Sequence, residues 1–142
     1  MTSRLKSGEV AVGDELPTQT FTLKRVDLVK YAGASGDFNV IHWNERIAKE
    51  VGLPDVIAHG MFTMAEAARV VTDWAGDPGA VLEYGVRFTK PVPVPDDDTG
   101  AELQVSGKVV ELLDGHRAKV ELTATCNDVK VLGMARAVVQ LS

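Results

Sequence analysis

The stretch Gly60-Met61-Phe62-Thr63-Met64-Ala65-Glu66-Ala67-Ala68-Arg69-Val70-Val71-Thr72-Asp73-Trp74-Ala75 decides the fold. Thr63, Glu66, Arg69 and Asp73 fall three and four apart and share one helical stripe. Met61, Phe62, Met64, Ala67, Val70, Val71 and Trp74 cover most of the remaining circumference. A helix apolar on that much of its surface is expected inside a fold, enclosed by other elements. At 1.5 Å per residue it spans ~24 Å, about the length of a seven-residue strand. Downstream, Ala80 to Leu141 reads as strands, with alternation in Leu103, Val105, Val109 and again in Val120, Leu122, Ala124. Asp114-Gly115 between those runs is a hairpin signal. Asn127-Asp128 turns the next corner, Lys130 to Leu141 is a last strand, and Phe21 to Leu23 an added edge strand. One mostly buried helix followed by a long meander predicts an α+β fold, a long antiparallel sheet wrapped around one central helix.

Working outward, Gly76-Asp77-Pro78-Gly79 stops the helix and turns the chain. Pro91-Val92-Pro93-Val94-Pro95 followed by Asp96-Asp97-Asp98 predicts an extended surface loop, because three prolines remove ladder donors. Shorter helices are expected from about Val26 to Ala34, capped near Asp27, and from Asn44 to Val51, with Asn44 as N-cap. The 142 residues carry 15 Lys and Arg against 20 Asp and Glu, a net charge of −5. That balance argues against nucleic acid or an anionic membrane as the main partner. Cys126 is the one cysteine, which excludes an intramolecular disulfide framework. No apolar run approaches the ~18 residues of a membrane span, and Met1 to Val10 lacks a signal core. These features predict a cytoplasmic protein with residues 1–142 forming one domain.

The segment most informative about chemistry is Tyr31-Ala32-Gly33-Ala34-Ser35-Gly36-Asp37-Phe38-Asn39-Val40-Ile41-His42. Gly, Asp and Asn mark a loop, whereas Phe38, Val40 and Ile41 predict that it is partly buried. Such a loop can aim Asp37 and His42 at one small molecule, and a carboxylate with an imidazole around one water makes a general acid/base pair. An Asp in a Gly-Asp-x-Asn loop is also commonly a turn or cap residue, and a lone His commonly structural.

Tyr31 to Ala48, YAGASGDFNVIHWNERIA, resembles the hydratase motif of the MaoC-like, (R)-specific enoyl-thioester hydratase/dehydratase family. Tyr31, Ser35, Gly36, Asp37, Asn39, Ile41, His42 and Ala48 fit its pattern; Val40 stands where the family usually has proline. Ile57-Ala58-His59-Gly60-Met61 resembles the family's lead-in to the central helix. The resemblance implies the hotdog fold and reversible syn addition of water across the 2,3 double bond of an enoyl thioester. It implies Asp37 and His42 as the catalytic pair, the backbone N–H of Gly60 as the oxyanion donor, and Ser35, Gly36 and Asn39 as loop support. It implies no metal and no organic cofactor. The expected substrate is an acyl-CoA or acyl-ACP thioester, and the expected assembly a homodimer or a heterodimer with a related hotdog subunit. The rival expectations are an acyl-binding subunit or a thioesterase with Glu66 as its acidic residue, although Glu66 beside Arg69 reads more simply as an ion pair.

Other groups carry blander readings. His59 is expected to shape the turn through backbone bonding, His116 to be exposed after the Asp-Gly turn, and Cys126 to be a small core residue. Met61 and Met64 are expected to pack the core.

Overall fold

A computed structural model of the protein describes residues 4–142. Strand β1 (Glu15–Leu23) leads into helices α1 (Arg25–Ser35), α2 (Glu45–Glu50) and α3 (Gly60–Ala75). Strands β2 (Val81–Phe88), β3 (Ala101–Leu113), β4 (Arg117–Cys126), β5 (Val129–Lys130) and β6 (Leu132–Gln140) follow. The sheet is antiparallel in the order β1-β3-β4-β6-β2, with β5 pairing β4. It curls over α3, which packs against β1, β2, β3, β4 and β6. This is the hotdog arrangement.

Alternation builds the core. Leu103, Val105 and Val109 of β3, Val120, Leu122 and Ala124 of β4, and Ala135, Ala137 and Val139 of β6 point inward and are buried. Against them lie Ala67, Val70, Val71 and Ala75 of α3. The helix ends at Gly76, whose φ of 77° is the left-handed geometry glycine adopts without a Cβ penalty. Asn127 and Asp128, with φ of 51° and 60°, make the two-residue turn that pairs Cys126 with Val129. Tyr84 ties β2 to the helix, its hydroxyl donating to the Met64 carbonyl at 2.7 Å. Burial pushes that phenol up to about 12, so it remains a donor at any ordinary pH.

Several expectations need correction. Strand β1 is longer than Phe21 to Leu23, although it is an edge. The last strand is split at Val131, whose N–H bonds to the Ala124 carbonyl. Asp27 lies in the first turn of α1 and accepts from the Lys24 N–H at 2.8 Å; Lys24 holds the N-cap position. The polar stripe of α3 is not all exposed, since Thr63 is buried, while Met61 is 58% exposed. The sheet therefore encloses α3 on one side only in a single chain.

The proline-rich segment also departs from a plain surface loop. Val92 and Val94 are buried, and the segment runs antiparallel to Val56–Ala58. Ala58 N–H donates to Val92 O and Val94 N–H to Val56 O, both at 2.9 Å. Because proline and valine alternate, the missing donors all fall on the opposite side. Arg25 fixes this assembly, donating from Nε to the Val94 carbonyl at 2.6 Å and pairing with Asp55 at 2.5 Å. Both side chains are largely shielded from solvent. Arg25→Met, which keeps the aliphatic stem, is expected to cost about 1–3 kcal/mol. A urea titration with an unchanged midpoint would contradict this.

Candidate active site

The Asp37–His42 loop is built by short-range bonds that its sequence supplies. Gly36 ends α1 in the left-handed conformation with φ 78°, which frees the chain to reverse. Ser35 Oγ accepts from the Asp37 N–H at 3.1 Å, and Asp37 Oδ1 accepts from the Asn39 N–H at 3.2 Å. Asn39 Oδ1 then caps the turn Val40–His42 through the Ile41 N–H. Trp43 Nε1 closes the loop by donating to the Phe38 carbonyl at 3.0 Å. Phe38 itself is 64% exposed, against the expectation of a buried residue; Val40 and Ile41 are half-buried.

His42 is buried, and its Nδ1 lies 2.7 Å from the Ile57 carbonyl. A carbonyl can only accept, so Nδ1 carries the proton and Nε2 presents its lone pair. That lone pair faces Asp37, with Nε2 3.8 Å from Oδ2. The separation exceeds a direct hydrogen bond, and an oxygen atom about 2.8 Å from each fits between them. Asp37 is half exposed on the solvent side of the pair.

His59 lies beneath this pair. Its ring stacks on His42 with centroids 3.8 Å apart, and its Nε2–H donates to the Asp37 carbonyl at 3.1 Å. Burial pushes this imidazole below the ordinary histidine value. The bond to the Asp37 carbonyl opposes the shift, His42 reinforces it, and the Asp37 charge opposes it again. His59 thus shapes the turn through a backbone bond, as its position before the helix predicts.

Asp37, His42 and His59 bring ligand-type atoms within 4.8 Å of one another. His42 Nδ1 and His59 Nε2 are already engaged by carbonyls. The remaining lone pairs lie in two stacked ring planes only 23° from parallel, so they do not converge on one ion at ~2 Å. The arrangement suits proton transfer, not metal ligation.

A cavity of about 380 Å³ adjoins the pair. Its walls include His42, Ile57, Gly60, Thr63, Phe88 and Lys90 and are mostly apolar; Asp37 lies outside the lining. Gly60 opens α3 with a backbone N–H that has no intrahelical partner, at the positive end of the helix dipole. A Cβ built on Gly60 would stand 3.0–3.1 Å from the ring tip of Phe88, a tight contact that the ring would have to relieve by shifting a few tenths of an ångström.

Ile57, Thr63 and Phe88 were not singled out from sequence. Ile57 acts through its carbonyl, which no side-chain pattern reports. Thr63 reads as part of the polar stripe. Phe88, at the end of β2, is exposed yet lines the cavity with its ring tip beside Gly60, a placement that no alternation in the sequence signals. Glu66 pairs with Arg69 at 3.2 Å and is absent from the cavity walls. His116 is exposed and Cys126 buried, with burial pushing its thiol up.

A sheet curled on one helix, with a carboxylate and an imidazole 3.8 Å apart near a cavity at the helix N-terminus, defines a hotdog domain. The chain belongs to the MaoC-like domain family, which residues 8–128 match. Over 79 residues it is 43% identical to 3-hydroxyacyl-thioester dehydratase X of Mycobacterium tuberculosis, covering 56% of this chain and 27% of that protein. A solved MaoC-like dehydratase superposes with a TM-score of 0.95 at 44% identity, over 99% of this chain and 43% of that one. The unliganded R-hydratase PhaJ1 from Pseudomonas aeruginosa superposes with a TM-score of 0.82 at 25% identity, over 98% and 87%. The chain thus spans less than half the length of the first two.

Val40, the departure from the family motif, sits at the first position of its turn after Asn39 with φ −54° and ψ 128°. That is the geometry a following proline requires, and the N–H lost there serves no bond within the turn. Val40→Pro is expected to stabilise the fold by about 0.4–1 kcal/mol. Calorimetry giving a lower melting temperature would refute this.

Proposed function

We propose that this domain catalyses (R)-specific, reversible hydration of trans-2-enoyl thioesters to (3R)-3-hydroxyacyl thioesters. The observation that carries the reading is the fixed tautomer of His42, whose bare Nε2 faces the Asp37 carboxylate across a gap that holds one oxygen. In hydration, a water held there loses a proton to the pair as its oxygen bonds to C3. The C2=C3 electrons move toward the thioester, whose oxygen gains charge as an enolate. The enolate then collapses and takes the proton at C2, so one water has added and the pair is regenerated. Both additions come from one side of the substrate, which makes them syn. Dehydration retraces the path.

The growing negative charge calls for a donor already in place, and the free N–H of Gly60 at the helix start supplies one. Ser35, Gly36 and Asn39 support the loop that presents Asp37. The acyl chain occupies the apolar cavity, and the thioester belongs to CoA or to an acyl carrier protein. The names of the relatives, a 3-hydroxyacyl-thioester dehydratase and an R-hydratase, agree with this chemistry. No step draws on a metal or organic cofactor.

Strands β1 and β2 each leave an edge unpaired, and β2 exposes Leu82 and Phe88 beside it. Exposed apolar edges of this kind are normally covered. The partner is a second copy or a related hotdog subunit joined edge to edge.

Asp37→Asn and His42→Ala are each expected to lower turnover of a crotonyl thioester by about 10²- to 10⁴-fold. Folded variants with near-full activity would sink the assignment. Loss of the enoyl-thioester absorbance matched by an equal release of free thiol would point to thioester hydrolysis instead.

Gly60→Pro removes the proposed oxyanion donor, and His59 with φ −58° and ψ 132° already has the extended backbone that a following proline imposes. Gly60→Ala meets the same Phe88 ring but keeps the N–H. The proline variant is expected to turn over about 10²- to 10³-fold more slowly than the alanine variant. Equal turnover in folded protein would place the oxyanion donor elsewhere.

Light scattering is expected to give at least twice the 15.2 kDa chain mass at micromolar concentration. A stable monomer would remove the second copy as partner and leave the related subunit.

A further inference from the structure

We propose that His59 is a positioning residue for this reaction, one neutral imidazole that holds Asp37 by its carbonyl and His42 by its ring face. The inference rests on the hydration reading and adds to it the group that keeps the two members of the pair in register. Asp37 and His42 come from different turns of the loop, and no side-chain bond joins them directly. His59 touches both. Its Nε2–H donates to the Asp37 carbonyl at 3.1 Å, and its ring lies 3.8 Å from that of His42. Tyr31 packs on the same imidazole at 4.7 Å, and His59 is 1% exposed, so the ring has little freedom to move.

A purely packing role does not account for this residue. His59 Nδ1 is buried and has no hydrogen-bond partner among the described residues. An apolar ring would fill the same space without stranding that atom. The stranded nitrogen is tolerable because the other nitrogen is engaged, and the bond to a carbonyl fixes the proton on Nε2. Neutrality matters as well. The charged and titratable groups facing His59 are the Asp37 carboxylate, His42 and the Tyr31 phenol. A positive charge on His59 would sit against the face of the imidazole that must accept a proton, opposing that transfer. Burial holds His59 on the neutral side.

Two substitutions separate the donor from the ring. His59→Gln places an amide N–H close to the position of Nε2 but gives up the stack. His59→Phe keeps a stacking ring and loses the donor. With a crotonyl thioester, His59→Phe is expected to lower kcat by about 10- to 100-fold with KM within about twofold of wild type. His59→Gln, which restores the donor to Asp37 without the stack on His42, is expected to fall between the two, with kcat at least about threefold above the phenylalanine variant and below wild type. A merely structural residue would show the reverse order, with activity following the melting temperature of each variant. A phenylalanine variant at least as fast as the glutamine variant overturns the role of His59 and leaves the hydration reading intact. An inactive wild type overturns the hydration reading, and the positioning role falls with it. If neither variant folds, the wild-type protein decides by nitrogen NMR of its histidine rings at neutral pH. His59 neutral with its proton on Nε2, and His42 with its proton on Nδ1, is the expected result. A charged His59, or its proton on Nδ1, overturns the proposal.

Discussion

The hydrogen bond from His42 Nδ1 to the Ile57 carbonyl orders the site. It chooses the tautomer, and so decides that the lone pair rather than the proton faces Asp37. It also joins two parts of the chain with little else in common, the loop after α1 and the extended stretch before α3. That stretch is held in turn by Ile41, which accepts from the Ile57 N–H, and by the valines of the proline-rich segment. Arg25 anchors the far side. A single carbonyl therefore inherits its position from three other segments, and the imidazole inherits its chemistry from that carbonyl.

The same arrangement explains why the site lies at this end of the fold. Helix α3 needs a partner along its length, and the sheet provides one. Its N-terminal turn meets Tyr31 of α1 and Phe88 at the end of β2, and Gly60 lines the cavity. Buried His42 and Thr63 share the cavity walls with exposed Phe88.

What was legible in the sequence follows from how local each feature is. The helix Gly60–Ala75 was readable to the residue because its spacing, its stop glycine and its length all lie within one stretch. The Asp-Gly and Asn-Asp turns were readable because backbone geometry there depends on those side chains. Asp37, His42 and Gly60 stood out through short motifs, and the structure brings them to one place. The misses are tertiary. Thr63 is polar and falls on a polar stripe, yet a cavity rather than solvent lies opposite it. Phe38 is apolar and exposed because its loop is held by bonds between polar side chains and the backbone and needs no apolar anchor. Ile57 contributes a carbonyl, and every residue has one. The use of His59 by both members of the pair depends on a stack between residues seventeen apart, which no periodicity records.

The alternation of proline and valine from Pro91 to Pro95 has a consequence for the behaviour of the protein in a crowded solution. Val92 and Val94 make the inward ladder bonds, so the outward-facing backbone positions belong to Pro91, Pro93 and Pro95. A stray strand arriving from outside would find no N–H to pair with. The segment that walls the cavity is thereby protected against aggregation, and strand addition is steered to edges elsewhere on the sheet. A wall of the cavity is thus kept closed to other polypeptide chains.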